Sequence, residues 1–485
     1  PIAIRARGLR LAAPSRKTMV TCKEMARFSI EAPRYTSYPT AAEFTSDVGP
    51  SDLRAALSSL AAPAEPSPTA RSPVGVYVHL PFCRDICHFC GCHALVARTP
   101  ERIDRYLACL AVEAAAMGRA LGAGRAVGEL HFGGGSPSFL EADDFARVMD
   151  DLHAAFAFTP DAAVSLEADP RTTDLAKLQR YRALGVRRIS FGVQDLDEDV
   201  QRAIGRHQSR ATSVAAYELA RQVGFDGVNL DLCYGLPEQT EATMAATVDA
   251  VLALRPDRVA LFGYAHVPWM KPMQRLIPAA SLPRADLRLR MIANARAVFL
   301  AAGYHAIGLD HFALPTDELA RAAVAGTLHR NFQGYTTTRT DALIGLGTSA
   351  ISDLPAGYFQ NQRKLGDYLR AVDVQGLATE RGVLRTGDDV VRGEVIRTLM
   401  CRGALDLRSL ERRFALDFAA AFGPEVTALR RLEGEGLVRL DLQAGRLALT
   451  PLGEVFVRNV ARVFDAYRGG ERARAGAPVR FSSTV

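Results

Sequence analysis

The 485-residue chain has no apolar run near the roughly 18 residues that a membrane-spanning helix needs. Its first 25 residues carry Arg5, Arg7, Arg10, Arg16, Lys17 and Lys23 but no long apolar core, which is not the pattern of a secretory signal. Eight cysteines are too few for a disulfide framework at this length. Lysine stands only at 17, 23, 177, 271 and 364, so the basic side is carried by arginine. The net charge of +6 suits an anionic partner but is too dilute to argue for nucleic acid. There is no P-loop lysine pattern, no G-x-S-x-G nucleophile elbow, no acid–base dyad, no internal repeat and no heptad run.

What is present is globular: 48% apolar and 23% charged residues, enough for a sizeable core. The length suggests about three domains, or one large domain with appendages. The segment Glu31-Ala-Pro-Arg-Tyr-Thr-Ser-Tyr-Pro-Thr40 is extended by its prolines, and residues 61–69 read as a proline-rich linker. From residue 74 short apolar runs alternate with helical patterns. Strands are predicted at 74–80, 129–132, 164–167, 188–191, 228–232 and 258–262, with helices at 101–120, 142–156, 174–184, 213–223 and 240–254. Such alternation implies βα crossovers and a parallel sheet. Six units predict an incomplete α/β barrel whose active edge lies at the strand C-termini. After about residue 358, helices at 390–401, 405–414 and 422–435 and a hairpin at 437–440 and 446–449 predict a mostly helical, winged-helix-like module. A packing or lid role suits it better than DNA binding, because a fold alone is weak evidence of function. The expected division is an arm and linker at 1–55, a barrel at 56–360 and a C-terminal module at 361–485.

Chemistry concentrates at Cys83-x3-Cys87-x2-Cys90, after the first strand. Zinc sites usually take two separated pairs of ligands, and no second pair exists here. A [4Fe–4S] cube normally takes four thiolates, so three would leave one iron open to a further ligand. A closed cluster, with His88 or Cys92 as fourth ligand, is the alternative. Thiols this crowded point to a reducing, cytoplasmic setting. Gly345-Leu-Gly-Thr-Ser-Ala350 fits the G-x-G-x-x-A dinucleotide pattern but does not open a strand–helix unit, so it reads as a barrel-end loop.

Three cysteines so spaced after a first barrel strand resemble the radical S-adenosylmethionine (SAM) enzymes. Tyr77-Val-His-Leu-Pro-Phe-Cys83, Phe132-Gly-Gly-Gly-Ser-Pro137, Glu167-Ala-Asp-Pro170, Gly192-Val-Gln-Asp195, Asp231-Leu-Cys-Tyr-Gly-Leu-Pro237 and His329-Arg-Asn-Phe-Gln-Gly-Tyr335 resemble one branch more closely, the oxygen-independent coproporphyrinogen III oxidases of haem synthesis. Arg34-Tyr-Thr-Ser-Tyr-Pro-Thr40 and Cys90-Gly-Cys92 are the more diagnostic parts of that likeness, which covers nearly the whole chain.

The resemblance implies a partial (β/α)6 barrel, a [4Fe–4S] cluster on Cys83, Cys87 and Cys90, and two SAM molecules. In the family the cluster's open iron chelates SAM, and one electron breaks a C–S bond to release a 5′-deoxyadenosyl radical. Tyr77, Gly134, Glu167 and Ile351 are implied for the first SAM; Ile351 suits a core position equally well. Phe89, Gly135, Ser136, Gln194, Arg206, Asp231 and Ala265 are implied for the second. Phe332 and Gln333 are the implied substrate-side catalytic pair, with Arg34, Tyr35 and Arg330 as further candidates for an anionic tetrapyrrole. The expected reaction converts two propionates of coproporphyrinogen III to vinyl groups, giving protoporphyrinogen IX. It requires a one-electron donor, such as a flavodoxin-type protein, and an electron acceptor. A monomer is expected, with no nucleic-acid or membrane partner. The competing readings are a haem-binding chaperone of the same superfamily, another radical SAM tetrapyrrole enzyme, and a winged-helix regulator with an iron–sulfur sensor.

Overall fold

The central strands are apolar on both faces or strictly alternating, and that pattern builds the sheet. In β1, Val74–Leu80, only Tyr77 is not fully buried, as befits a parallel strand covered on both sides. The computed structural model describes residues 26–61, 72–122, 124–468 and 481–482. The basic opening stretch and nearly all of the expected linker lie outside the described residues. After β1 come β2, Val127–Gly134, β3, Phe158–Ala168, β4, Arg188–Gln194, β5, Gly227–Tyr234, and β6, Arg258–Gly263. Each pairs in parallel with the next. In β4 burial alternates, with Ile189, Phe191 and Val193 on the helix side and Arg188, Ser190, Gly192 and Gln194 on the other. A slip of one residue would exchange the two sets, so the register is strongly specified.

The crossover helices start where side chains can cap them. Asp174 accepts from the Lys177 N–H, Ser209 from the Thr212 N–H, and Thr240 forms a reciprocal box with Thr243. Pro100–Leu121, the longest of these helices, buries Tyr106, Leu107, Leu110 and Met117 against the sheet.

The sheet is larger than six strands. It has twelve, because Leu343–Leu346 adds a parallel strand outside β1 and Ile351–Leu354, Gly357–Asn361 and Thr379–Leu384 follow antiparallel. At the other edge His311–Ala313 and His305–Ile307 extend β6 antiparallel. These edge strands are three to six residues long, too short to show a period. Gly345 and Leu346, read as loop from sequence, complete a strand, and the chain then returns as a strand rather than a helix. The division expected after residue 360 crosses this edge, since Thr379–Leu384 pairs with Gly357–Asn361.

A second apolar core follows. Gly387–Arg402, Ala404–Asp406, Leu407–Phe414, Gly423–Gly434, Val438–Asp441 and Arg446–Leu449 run helix, strand, helix, helix, hairpin, a winged-helix order. The three-residue strand Ala404–Asp406, not foreseen, joins the hairpin as its third strand. The arm belongs to this core: Phe28, Tyr35 and Tyr38 are buried among Phe418, Phe422, Phe456 and Phe464. The Tyr35 hydroxyl donates to Asp465 at 3.0 Å, and Arg458 donates to the Ala32 and Pro33 carbonyls. Among the described residues no helix is long and apolar enough to cross a membrane.

Candidate active site

The cysteine loop leaves β1 and is pinned at three points. His88 N–H donates to Ile204 O at 2.8 Å, Gln274 Nε2 to Phe89 O at 2.9 Å, and Lys271 Nζ to Cys92 O at 3.1 Å. Gly205 faces the His88 ring so closely that a Cβ there would lie 2.7 Å from it. The glycines after β2 serve the same close packing. Gly134 has φ +118° and a Cβ there would meet the His79 ring at 2.7 Å; one on Gly135 would meet Pro81 O at 2.4 Å. The room they leave is therefore taken first by the protein's own β1 turn, not by a ligand.

A cavity of about 450 Å³ opens at the C-terminal ends of the strands. Cys83, Cys87 and Cys90 line it together with Phe89, and β2 contributes Gly134, Gly135 and Ser136. Glu167, Gln194, Arg206, Asp231 and Ala265 complete the set that the structure brings together as expected from sequence. Tyr77, Ile351, Phe332 and Gln333 do not line it. Tyr77 lies one layer below, its hydroxyl 3.0 Å from His79 Nδ1 and its ring stacked on His131. Ile351 opens an edge strand, half-buried. Phe332 sits edge-on to Tyr358 at 5.3 Å, and Gln333 holds the turn of a hairpin between His329–Asn331 and Gly334–Thr336. The Gln333 Nε2 is buried with no hydrogen-bond partner. Of the further substrate-side candidates, Arg34 reaches the cavity and Tyr35 is core.

The carboxylates at the strand ends differ in charge state. Burial raises Glu167, but His131, 3.4 Å away, and the Gly134 N–H, 3.3 Å away, outweigh it, and the net value lies below the usual one. Asp231 is pushed up to about 6 by burial and by the Glu167 charge, against hydrogen bonds from Ser190 and Asn229. Sequence reasoning missed Asp169 and Arg171. Asp169 accepts from Arg171 Nε at 3.0 Å and Nη2 at 2.6 Å, and Arg206 Nη2 approaches it at 3.5 Å. An acid and a base two residues apart, just past a strand end, were the available signal. Lys271 and Gln274 were also missed, in a loop with no periodicity to mark it.

The donor set fits an iron–sulfur cube. Arg206 Nη1 donates to Cys87 Sγ at 3.5 Å and the Cys92 N–H to Cys90 Sγ at 3.4 Å, the hydrogen bonds that thiolates bound to iron attract. Burial and the neighbouring thiols push Cys83 up to about 12, a repulsion that a cationic cluster core relieves. Hydrogen bonds from Cys92, its thiol first, draw Cys90 below the usual thiol value. Cys92 thus supports a ligand sulfur. The cavity volume lies within the range of about 300–1,000 Å³ usual for small-molecule sites, and its carboxylates and Arg206 suit the ammonium, ribose and carboxylate of SAM.

Residues 77–251 match the Radical SAM superfamily, and residues 386–456 match the HemN C-terminal domain. The oxygen-independent coproporphyrinogen III oxidase of Escherichia coli is 42% identical over 442 residues, covering 91% of this chain and 94% of the relative. The chain belongs to the oxygen-independent coproporphyrinogen III oxidase family. The family's enzyme from Pseudomonas aeruginosa is 41% identical, covering 91% and 94% of the two chains. The solved structure of the E. coli coproporphyrinogen III oxidase, HemN, described as a radical SAM enzyme, superposes with a TM-score of 0.84 at 41% identity, covering 90% of this chain and 97% of that one. The fold is thus a radical SAM α/β barrel, with a [4Fe–4S] cluster and SAM as its cofactors.

Proposed function

We propose that this chain converts coproporphyrinogen III to protoporphyrinogen IX without oxygen, by oxidative decarboxylation of two propionates to vinyl groups. The observation that carries the reading is the three-thiol loop opening into the same cavity as Glu167, Arg206 and Asp231, in a chain of this family. When bound, the cluster and SAM supply one-electron chemistry able to take a hydrogen atom from an unactivated C–H bond. The chain's own residues bind, orient and exclude water. Cys83, Cys87 and Cys90 would hold three irons, leaving one for SAM. Glu167 and Asp231 would accept from its ammonium and ribose, Arg206 would meet a carboxylate, and Phe89 would pack near an adenine. A second SAM beside the first accords with the number of strand-end groups facing the cavity. The orphaned Gln333 amide supports a role in orienting the substrate, with Phe332 beside it.

Each propionate loses one hydrogen atom, CO2 and one further electron, so the reaction needs an acceptor as well as a flavodoxin-type donor. The working unit is a monomer in three parts: an arm, a catalytic barrel whose sheet runs on through Thr379–Leu384, and a C-terminal module from Gly387. Four clustered thiols suit a reducing compartment such as the cytoplasm. The test is an anaerobic assay with coproporphyrinogen III, SAM, reductant and acceptor. The expected result is protoporphyrinogen IX with CO2 and 5′-deoxyadenosine. Tight haem binding with intact propionates would instead make the chain a carrier.

A further inference from the structure

We propose that the exposed face formed by Trp269, Met270 and Leu276, beside the cysteine loop, is the docking surface for an acidic one-electron donor of flavodoxin type. The inference rests on the radical SAM reading above, since only a cluster that must be reduced needs such a partner.

The face is mounted on the loop itself. Lys271 and Gln274 bind the carbonyls of Cys92 and Phe89, and Gln274 Oε1 also accepts from the Val267 N–H at 2.6 Å. Gln274 is buried, so the segment is anchored from beneath. Its outer side presents Trp269, 43% exposed, Met270, 62%, and Leu276, 57%. Val96, 38% exposed, stands on the short strand paired with Cys83. Other exposed large apolar side chains among the described residues, such as Val112, Val324 and Val374, stand singly on helices. Three exposed large apolar side chains within one short segment, flanked by basic residues, mark an interaction site. It holds the chain's single tryptophan, a residue type that anchors interfaces.

Charge selects the partner. The loop's own acid, Asp85, lies 3.7 Å from Arg84 and 3.8 Å from Arg171, and residues 86–100 and 264–285 contain no Asp or Glu. They do contain Arg98, Lys271, Arg275 and Arg284. Burial, with Lys271 and then Arg363, holds His93 below its usual value, which accords with a positive field over the loop. An acidic surface is what such a rim steers in. Position agrees as well. Gly91 and Cys92, at the rim of the cavity, are exposed, and Cys92 is bonded to Lys271, the residue that follows Trp269 and Met270. Per SAM cleaved, one electron leaves the donor's reduced flavin and enters the cluster, so the donor is oxidised by one electron and the cluster reduced by one.

The lone tryptophan permits a direct test. The full-length holoprotein is labelled with 5-fluorotryptophan and titrated with unlabelled flavodoxin. The single fluorine resonance should shift or broaden at low salt and recover in about 0.5 M salt, where charge attraction is screened. A second arm uses the double variant Met270→Glu, Leu276→Glu. Its cluster reduction by reduced flavodoxin, read as bleaching of the visible absorption, should fall at least tenfold, with dithionite-driven reduction unchanged. An unmoved resonance, or a wild-type flavodoxin-driven rate in the variant, overturns the proposal. So does an equal loss with dithionite, which would make the face a structural prop of the loop. A resonance that shifts with the chain's own concentration, in step with dimer formation, would assign the face to a second copy and overturn it too. If flavodoxin reduces the cluster through this face but no coproporphyrinogen is decarboxylated, the docking surface stands and the substrate assignment fails.

Discussion

Asp231 sits where burial and the Glu167 carboxylate raise its carboxyl to about 6. The folded value exceeds that of an unfolded aspartate, near ~3.9, so the native state holds this proton more tightly. Through this group stability grows as pH falls from 7 toward 4, and is lost as pH rises through 6. A cationic ligand reverses the shift, because it favours the carboxylate. SAM binding near pH 6 should therefore release about half a proton, measurable by calorimetry in buffers of different ionisation enthalpy. Asp231→Asn should abolish that release. The cysteines divide in the same residue-level way. Ala at Cys83, Cys87 or Cys90 should remove the cluster's iron, while Cys92→Ala should retain iron by metal analysis, since Cys92 only supports the Cys90 sulfur. Gly135→Ala places a Cβ 2.4 Å from a backbone oxygen and should cost about 1–3 kcal/mol of stability in thermal melts. At this scale the sequence was informative wherever a side chain carries its chemistry on its face. Thiols at fixed spacing and acids at strand ends were legible. Asp169, Lys271 and Gln274 act through partners distant in sequence, and pairing of that kind leaves no local mark.

Whole elements followed from periodicity when they were long. The six barrel strands and the five crossover helices were readable because each repeats its pattern over two or more turns or pleats. The edge strands, the strand Ala404–Asp406 and the role of the arm were not. Tyr35 read from sequence as a candidate for the anionic tetrapyrrole, and Tyr38 as part of an extended arm. Instead they complete a core most of whose other members lie over 300 residues away. Tyr38→Ala should accordingly cost about 3 kcal/mol, seen as an earlier unfolding transition in the full chain. Tyr35→Phe, which removes only the bond to Asp465, should cost about 1 kcal/mol. The helices of the winged-helix module spend their arginines on neighbours: Arg413 meets Glu394, Arg430 meets Glu433 and Arg408 meets Glu411. Full-length protein should show no sequence-selective DNA binding in a mobility-shift assay at physiological salt.

On the scale of the whole molecule, the arm meets residues more than 400 positions further along. Ala32 N–H donates to Ser482 O at 3.3 Å, Phe481 N–H to Glu31 at 3.2 Å, and Arg458 grips the backbone of the arm. Synthesis proceeds from the amino end, so the arm emerges first and waits for partners made last. Leu343–Leu346 must likewise appear before β1 has both of its neighbours. On the ribosome, then, the thiol loop is finished before the arm, which carries Arg34 to its cavity, finds its C-terminal partners. The nascent chain passes through a stage in which the cluster loop is complete and the arm that brings Arg34 to its cavity is not yet anchored. Anchoring of the arm is timed by translation itself: its partners around Arg458 are made only after the whole barrel.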